Sequence, residues 1–255
     1  MVLWSQNHLY TLLPALILMV IFAVVLRRLL GGKPHHTRMI PFQIISVILL
    51  LLEVGKQAVS FSRGYDLYAI PLHFCSLALF TMPLMAFYHG QYASTVRAIT
   101  SAVCAAIFLL TAIYPELIYS GACLDVYFTD FTAFHTVTFH NLVMFAFLLI
   151  PALDLHDAPS KKDPKAVGLF ILGYCAVSAP IAQILKVNYN NFYSCNVGPL
   201  EQVRTSLQAV LGYGLTQVLY VLIVVVLDIL FTIMCYWFYR LLRLVSVGRK
   251  TSAVS

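Results

Sequence analysis

The chain has 255 residues, of which 61% are hydrophobic and only 10% are charged. A soluble domain carries about 25% charged residues, so this composition excludes a soluble globular protein and makes the lipid bilayer the solvent for most of the surface. The net charge of +6 could serve nucleic-acid binding, but no basic face or motif supports that function. We therefore expect a membrane protein whose partners are membrane lipids and which binds no nucleic acid.

The apolar segments have the length of transmembrane helices, about 20 residues. Barrel strands would be about 9–11 residues long with strict alternation, and that pattern is absent. Because every backbone polar group must be satisfied inside a bilayer, the spans are predicted to be helices. The sequence predicts an all-α polytopic transmembrane helical bundle that forms a single domain over residues 1–255, with seven spans at about 10–30, 39–59, 67–87, 96–114, 135–155, 166–185 and 207–237.

The first three spans differ in their polar content. The first begins too far into the chain, and is too long, for a cleaved signal peptide. The second contains Glu53 and Lys56 late in its length, and the third contains His73 and Cys75 early in its length. Charged or titratable groups are costly inside a bilayer, so these residues are candidates for a functional site.

The later spans add further polar groups. A polar connection at 115–134 leads to the fifth span, which carries His135 and His140 in its first two turns. Asn188 and Tyr189 follow the end of the sixth span. The seventh span exceeds the length of a perpendicular helix, so we expect it to tilt or to emerge from the bilayer at one end.

The basic residues predict the orientation, because cytoplasmic segments of membrane proteins are rich in Lys and Arg. With the N-terminus outside, the outer side holds few basic residues, namely Arg63, Lys186 and Arg204, with Lys56 near it. The inner side then holds Arg27, Arg28, Lys33, Arg38, Arg97, Lys161, Lys162, Lys165, Arg240, Arg243, Arg249 and Lys250. We therefore predict an outer N-terminus and an inner C-terminus in the cell membrane.

This topology places the polar groups of four helices in one layer, in the outer half of the bundle. His73 and Cys75 are two residues apart, about 200° around an α-helix, so on a helix they would point to opposite faces. If Cys75 is a nucleophile, its base must then come from another helix, with His140 the first candidate and His135 the second. His73 would donate a hydrogen bond to the developing oxyanion or act as the base itself.

The remaining candidates bind substrate in this interpretation. Glu53 and Lys56 are three residues apart, so they share a helix face, can pair, and could bind a lipid headgroup; Asn188 and Tyr189 lie in the same layer. The alternative is that these residues have only structural roles. Cys75 would then be a packing residue, and the histidines and the Glu53–Lys56 ion pair would make contacts between helices. His135 and His140 lack the four-residue spacing of a same-face metal pair, and we predict neither a metal nor a cofactor.

The six cysteines divide by location. Four lie within predicted spans, at positions 75, 104, 175 and 235. Cys123 and Cys195 lie in two outer connections, where an oxidising compartment would allow a disulfide between them. Two free thiols are the alternative.

One stretch of the third span resembles a known family. The segment Tyr68-Ala69-Ile70-Pro71-Leu72-His73-Phe74-Cys75-Ser76-Leu77 resembles the L-P-L-H-L-C segment of the YwaF family of bacterial integral membrane proteins, as do Glu53-Val54-Gly55-Lys56 and Val187-Asn188-Tyr189. The resemblance covers most of the chain and implies a bacterial plasma membrane. The YwaF family is in turn distantly similar to animal transmembrane phospholipid acyltransferases that use a Cys and a His, which implies a lipid substrate.

Three functions remain open from the sequence. The first is a membrane enzyme, either an acyltransferase or an acyl hydrolase, that acts on lipids through a Cys/His arrangement. The second is a small-solute or ion transporter or channel, although a path would need polar groups in both halves of the membrane. The third is a non-catalytic membrane assembly protein. A retinal-binding receptor is disfavoured because the last span has no lysine for a Schiff base.

Overall fold

A computed structural model describes residues 4–155, 157 and 160–251, with side chains up to residue 241. The described residues form α-helices and short 3₁₀ turns and contain no strand. Six of their helices are long and apolar enough to cross a membrane. These are α1 (Gln6–Leu30), α2 (His35–Ser62), α4 (Ala93–Ile113), α7 (Phe131–Ala152), α8 (Asp163–Leu185) and the first part, Tyr213–Leu241, of α10 (Tyr213–Thr251). The chain is therefore a multi-pass membrane protein.

The third predicted span, 67–87, is not one continuous helix. Two 3₁₀ turns, Leu67–Ala69 and Phe74–Ser76, precede the short helix α3 (Leu77–Phe87). Ile70 is extended at φ −58°, ψ 131°, the conformation that a following proline favours. The apolar helical part of this segment, Phe74–Phe87, is shorter than the other candidate spans. Irregular backbone is tolerated in a membrane protein where it is buried or lines a cavity, and His73, Phe74 and Cys75 of this segment line a cavity.

The seventh predicted span, 207–237, is also corrected. A separate helix, α9 (Gly198–Leu211), ends at Gly212, whose φ of +77° suits glycine. The membrane helix α10 begins only at Tyr213. The connection 115–134 contains two short helices, α5 (Pro115–Ile118) and α6 (Gly121–Asp125).

The helices alternate in direction, which gives the bundle two faces. We call the face at which α1 begins the N-face and the face at which α1 ends the C-face. On the N-face, Asn7 of α1 donates a hydrogen bond to Asp125 of α6 at 2.6 Å. On the C-face, Arg38 donates to the Leu153 carbonyl at 2.7 Å. The side chains of three basic residues used to predict the orientation, Arg243, Arg249 and Lys250, lie outside the described residues.

Helices α4 and α7 form the centre of the bundle. The run Ala102–Ala106 of α4 is fully buried, and its small side chains allow neighbouring helices to approach closely. By contrast, α1 and α10 are mostly exposed, as expected of peripheral helices in contact with lipid. Asp130 caps the start of α7 by accepting a hydrogen bond from the Ala133 backbone N–H at 3.0 Å.

Candidate functional site

A cavity of about 390 Å³ lies at the N-face. The late turns of α2, the end of α4, the first turns of α7 and the irregular segments around residues 66–76 and 188–196 form its walls. Both polar and apolar side chains line it. The polar and ionisable ones include Glu53, Lys56, Arg63, Asp66, His73, Cys75, His135, His140, Asn188, Asn190, Asn191 and Asn196. Seven of the candidate residues from the sequence are thus brought to one cavity.

Tyr189 is the candidate side chain that does not line this cavity. It is fully buried, with its ring edge-on to His73 at a centroid distance of 5.3 Å. Its hydroxyl donates a hydrogen bond to the Leu67 carbonyl. Tyr189 therefore supports the cavity wall from behind.

Glu53 is the centre of a hydrogen-bonded cluster on α2. Lys56 Nζ lies 2.9 Å from Glu53 Oε2, as the three-residue spacing predicts. Gln57 Nε2 donates to Glu53 Oε1 at 2.7 Å and to the Ala69 carbonyl at 2.7 Å. Gln57 thereby connects α2 to the irregular segment. Gln57 was not among the residues predicted from the sequence, although its position four residues after Glu53 places it on the same helix face.

His135 faces this cluster from α7. Its Nε2 lies 3.5 Å from Glu53 Oε2, within ion-pair range. The geometry is too poor for a hydrogen bond, so both ring nitrogens are buried without a hydrogen-bond partner among the described residues. A buried polar group left without a partner is costly. A polar group that enters the cavity would therefore give the His135 ring the hydrogen bond that Glu53 does not supply.

His140 has a defined tautomer. Its Nδ1 lies 2.7 Å from the Thr136 carbonyl oxygen, one turn earlier in α7. A carbonyl oxygen only accepts hydrogen bonds, so Nδ1 must carry the proton, and Nε2 of the neutral ring keeps its lone pair. His140 is buried and lines the cavity, which suits a general base.

His73 and Cys75 do not obey the α-helical spacing assumed from the sequence. His73 is extended at φ −75°, ψ 153°, and Cys75 lies in the 3₁₀ turn that follows. Both side chains therefore line the same cavity, and the prediction that they point to opposite faces is wrong. His73 Nε2 is held by the Tyr68 carbonyl at 3.1 Å. No hydrogen bond joins Cys75 to an imidazole in the described part of the chain.

The segment after α8 completes the wall. Asn188 Oδ1 accepts hydrogen bonds from the backbone N–H groups of Tyr193 and Ser194 at 3.2 and 3.1 Å. Asn190 and Asn191 have left-handed backbones, with φ of 49° and 60°. Asparagine tolerates this conformation better than most residues. Asn190 and Asn191 were not among the residues predicted from the sequence, although they lie in an asparagine-rich run that could have indicated them.

Arg63 and Asp130 form an ion pair at the rim of the cavity, with Arg63 Nη1 3.3 Å from Asp130 Oδ2. The Ala133 backbone N–H at the start of α7 holds the pKa of Asp130 below its ordinary value, and Arg63 contributes in the same direction. Asp130 is therefore ionised at neutral pH. It partly offsets the positive charge of Arg63 and Lys56 at this side of the cavity.

The sequence left open whether Cys123 and Cys195 form a disulfide or remain free thiols. Cys123 and Cys195 are both free thiols in the structure. Cys123 packs toward α7, with its Sγ 3.9 Å from the Ala133 carbonyl oxygen. Cys195 belongs to the segment before α9, where its backbone N–H donates to Glu201. Among the described residues, no group of three or more metal-binding side chains comes together.

Comparison with known proteins identifies a family. The family model of the TMEM164 family matches residues 3–239, nearly the whole chain. The resemblance to the YwaF family is therefore wrong, and the placement in a bacterial plasma membrane loses its basis. Neither the curated proteins nor the solved structures contain a match to the chain.

Proposed function

This chain belongs to the TMEM164 family, and we propose that it is a membrane enzyme that transfers or hydrolyses the acyl groups of lipids. One observation carries the proposal. A single N-face cavity is lined by a thiol, three imidazoles and a Glu–Lys ion pair, together with apolar side chains at the same depth. Nucleophile, base and cation are the groups that acyl transfer needs.

The proposal includes a topology. We infer seven crossings, the third made by residues 67–87 with α3 as its helical part, and an outer N-face. Support comes from the basic residues at the C-face, such as Arg27 and Arg28 in the last turn of α1 and Arg97 near the start of α4. Positive residues concentrate on the cytoplasmic side of membrane proteins. The cavity then opens toward the outer leaflet.

The lining fits an amphiphilic substrate. Ile107, Leu110 and Phe139 provide apolar contacts for an acyl chain. Lys56 and Arg63 offer positive charge to a phosphate group, and Asn188 offers an amide from the opposite wall. Tyr189 holds His73 in place from behind. A phospholipid whose ester lies between these two regions would present its carbonyl carbon to Cys75.

The chemistry follows from the protonation of the two central groups. His140 Nε2 accepts the proton of the Cys75 thiol when substrate brings the two together, and the thiolate attacks the ester carbonyl carbon. The tetrahedral intermediate collapses, the C–O bond breaks, and the alcohol leaves with the proton from His140. A lipid hydroxyl or water then attacks the thioester, gives its proton to His140, and releases the thiol, which regains that proton. His135 donates a hydrogen bond to the oxyanion, because the Nε2 proton of His73 is already donated to the Tyr68 carbonyl.

Transport, the second function left open by the sequence, receives less support. A path would need polar groups in both halves of the membrane. A second cavity lies toward the C-face, but apolar side chains line it apart from Thr37. The polar side chains of the first cavity belong to the N-face ends of α2 and α7 and to the irregular segments around residues 66–76 and 188–196. This distribution fits a site open to one leaflet.

The test is acyl exchange with labelled phospholipid in vesicles that contain the purified protein. Cys75→Ala and His140→Ala are each expected to reduce the rate at least about a hundredfold, the usual contribution of a positioned acid–base group. With native protein, intact-mass measurement should detect the acyl chain on Cys75 when no acceptor alcohol is supplied. Loss of exchange in His140→Ala with full activity in Cys75→Ala would favour direct hydrolysis without a thioester.

Matched controls separate chemistry from folding. Cys123→Ala removes a thiol near the N-face that does not line the cavity, and His89→Ala removes an exposed imidazole. Both variants should keep native exchange rates. If vesicles with native protein show no exchange above empty vesicles for several lipid classes, the enzyme proposal fails, and solute flux becomes the next measurement.

A further inference from the structure

The second cavity is a groove of about 370 Å³ between α1, α2 and α7. Leu26 and Leu30 of α1 form one wall, Thr37 and Ile44 of α2 form the other, and Leu142 and Phe145 of α7 lie at its floor. The groove shares no lining residue with the N-face cavity. It therefore has no part in the acyl chemistry proposed above.

The groove exists because α1 and α2 do not close against each other. Both helices pack on α7. They make few contacts with each other, although they are consecutive in the chain and antiparallel. Adjacent helices normally approach until their side chains interlock. Here the space between them opens sideways to the lipid-facing surface. It extends to the C-face, since Leu30 lies in the last turn of α1 and Thr37 in the first turn of α2.

Unpaired positive charge lies at the C-face end of the groove. Arg27 and Arg28 lie in the last turn of α1, and Lys33 lies in the link to α2. All three are exposed, and none makes an ion pair or side-chain hydrogen bond within the described part of the chain. The sequence contains no acidic residue before Glu53, so neither α1 nor the first turns of α2 can neutralise this charge.

We propose that this groove is a binding site for an anionic phospholipid of the C-face leaflet. One acyl chain lies between α1 and α2 on the floor formed by α7, and the phosphate lies near Arg27 and Lys33. Arg28, about 200° around α1 from Leu26, adds positive charge from the far side of the helix end. The groove, apolar apart from Thr37, selects for hydrocarbon, and the cations select for a negative headgroup over a zwitterionic one. Basic residues beside gaps between membrane helices bind anionic headgroups in this way.

The test compares two variants with equal loss of charge. The first, Arg27→Gln/Arg28→Gln/Lys33→Gln, removes the cations at the groove. The second, Lys161→Gln/Lys162→Gln/Lys165→Gln, removes three exposed cations elsewhere on the same face. Native mass spectrometry of the full-length protein in detergent measures retention of phosphatidylglycerol against phosphatidylcholine with the same acyl chains.

We expect native protein and the second variant to retain phosphatidylglycerol preferentially, and the first variant to retain it at least about tenfold less. A third variant, Ile44→Trp, fills the groove and leaves the cations in place; it should also lose the bound lipid. Equal losses in the two charge variants, or full retention in Ile44→Trp, would overturn the proposal and leave only general attraction to the basic face. Equal thermal unfolding temperatures would exclude misfolding as the cause, and acyl exchange remains independent of the outcome.

Discussion

Asn190 Nδ2 donates a hydrogen bond of 2.5 Å to Asp228 Oδ2 and so joins the wall of the N-face cavity to the last membrane helix. Cys175 of α8 adds a weaker contact, with its Sγ 3.8 Å from the same oxygen. Asn190 has a left-handed backbone, which costs free energy unless surrounding contacts hold it. Asp228 provides such a contact from inside the bundle, where an ionisable residue is rare and usually has a purpose.

Asp228→Leu should therefore destabilise the protein by about 1–3 kcal/mol, because it leaves the Asn190 amide without its acceptor. Asp228→Asn keeps an acceptor oxygen and should cost less. Thermal or denaturant unfolding in detergent measures both, with Leu230→Ala on the exposed side of the same helix as a control. If Asp228→Leu were as stable as the native protein, the contact would not support the 189–191 turn.

Much of the architecture was predictable from the sequence, because bilayer thickness fixes the length of a span. Five predicted spans overlap the long helices α1, α2, α4, α7 and α8. The grouping of polar residues at one depth was predictable for the same reason. Counting residues along a helix of known direction gives depth, so Glu53 and His140 could be assigned to one layer before any contact was known.

The irregular third segment could not be predicted from its proline. Five other prolines, Pro14, Pro41, Pro83, Pro151 and Pro180, lie inside α-helices, where neighbouring groups compensate for the missing hydrogen bond. Among the described prolines of the predicted spans, only Pro71 lies in an unwound stretch. Pro71 differs from the other prolines in the tertiary contacts of its neighbour Leu72. Tyr174 and Ser178 of α8 both donate hydrogen bonds to the Leu72 carbonyl at 2.8 Å, and such long-range partners are invisible in the sequence.

Gly55 offers a test of close helix packing beside the cavity. A Cβ at this position would lie 2.6 Å from Cζ of Phe131, so Gly55→Ala should push the ring of the first α7 residue aside and cost about 1–3 kcal/mol. Gly173→Ala is the matched control, because a Cβ there meets nothing within 4 Å. The control should be neutral or stabilise α8 by up to about 1 kcal/mol. Equal unfolding free energies for the two variants would contradict a packing role for Gly55.

The attachment of α9 should depend on pH. Hydrogen bonds from Arg204 hold the pKa of Glu201 below its ordinary value, and the Cys195 backbone N–H contributes in the same direction. Arg204 also donates to Gln217 of α10 at 2.9 Å, so the ionised pair fastens α9 to α10. A carboxyl with a lowered folded pKa contributes stability above its unfolded pKa of about 4.3, and this contribution is lost as the pH falls through the folded value.

We therefore expect hydrogen-exchange protection of the α9 amides, corrected for intrinsic rates, to be constant near neutral pH and to fall below about pH 4. Glu201→Gln should reduce protection already at neutral pH and flatten its dependence on pH. Unchanged protection in Glu201→Gln would mean that other contacts hold α9 in place.

The Glu53–Lys56 pair should be coupled more strongly than an exposed pair. Both side chains are mostly buried, with 13% and 14% of their surfaces exposed, so removing one partner leaves the other charge without compensation. Glu53→Gln alone should cost about 3–5 kcal/mol, and the double variant Glu53→Gln/Lys56→Met should recover much of this loss.

Arg63 and Asp130 provide the comparison, because their side chains are 62% and 36% exposed. The same double-mutant cycle there should give less than about 1 kcal/mol. A coupling for Glu53–Lys56 no larger than that of the exposed pair would mean that water screens the cavity wall. In that case Lys56 would remain charged in Glu53→Gln and could still bind a lipid headgroup. The acyl-exchange rate of this variant should then approach the native rate.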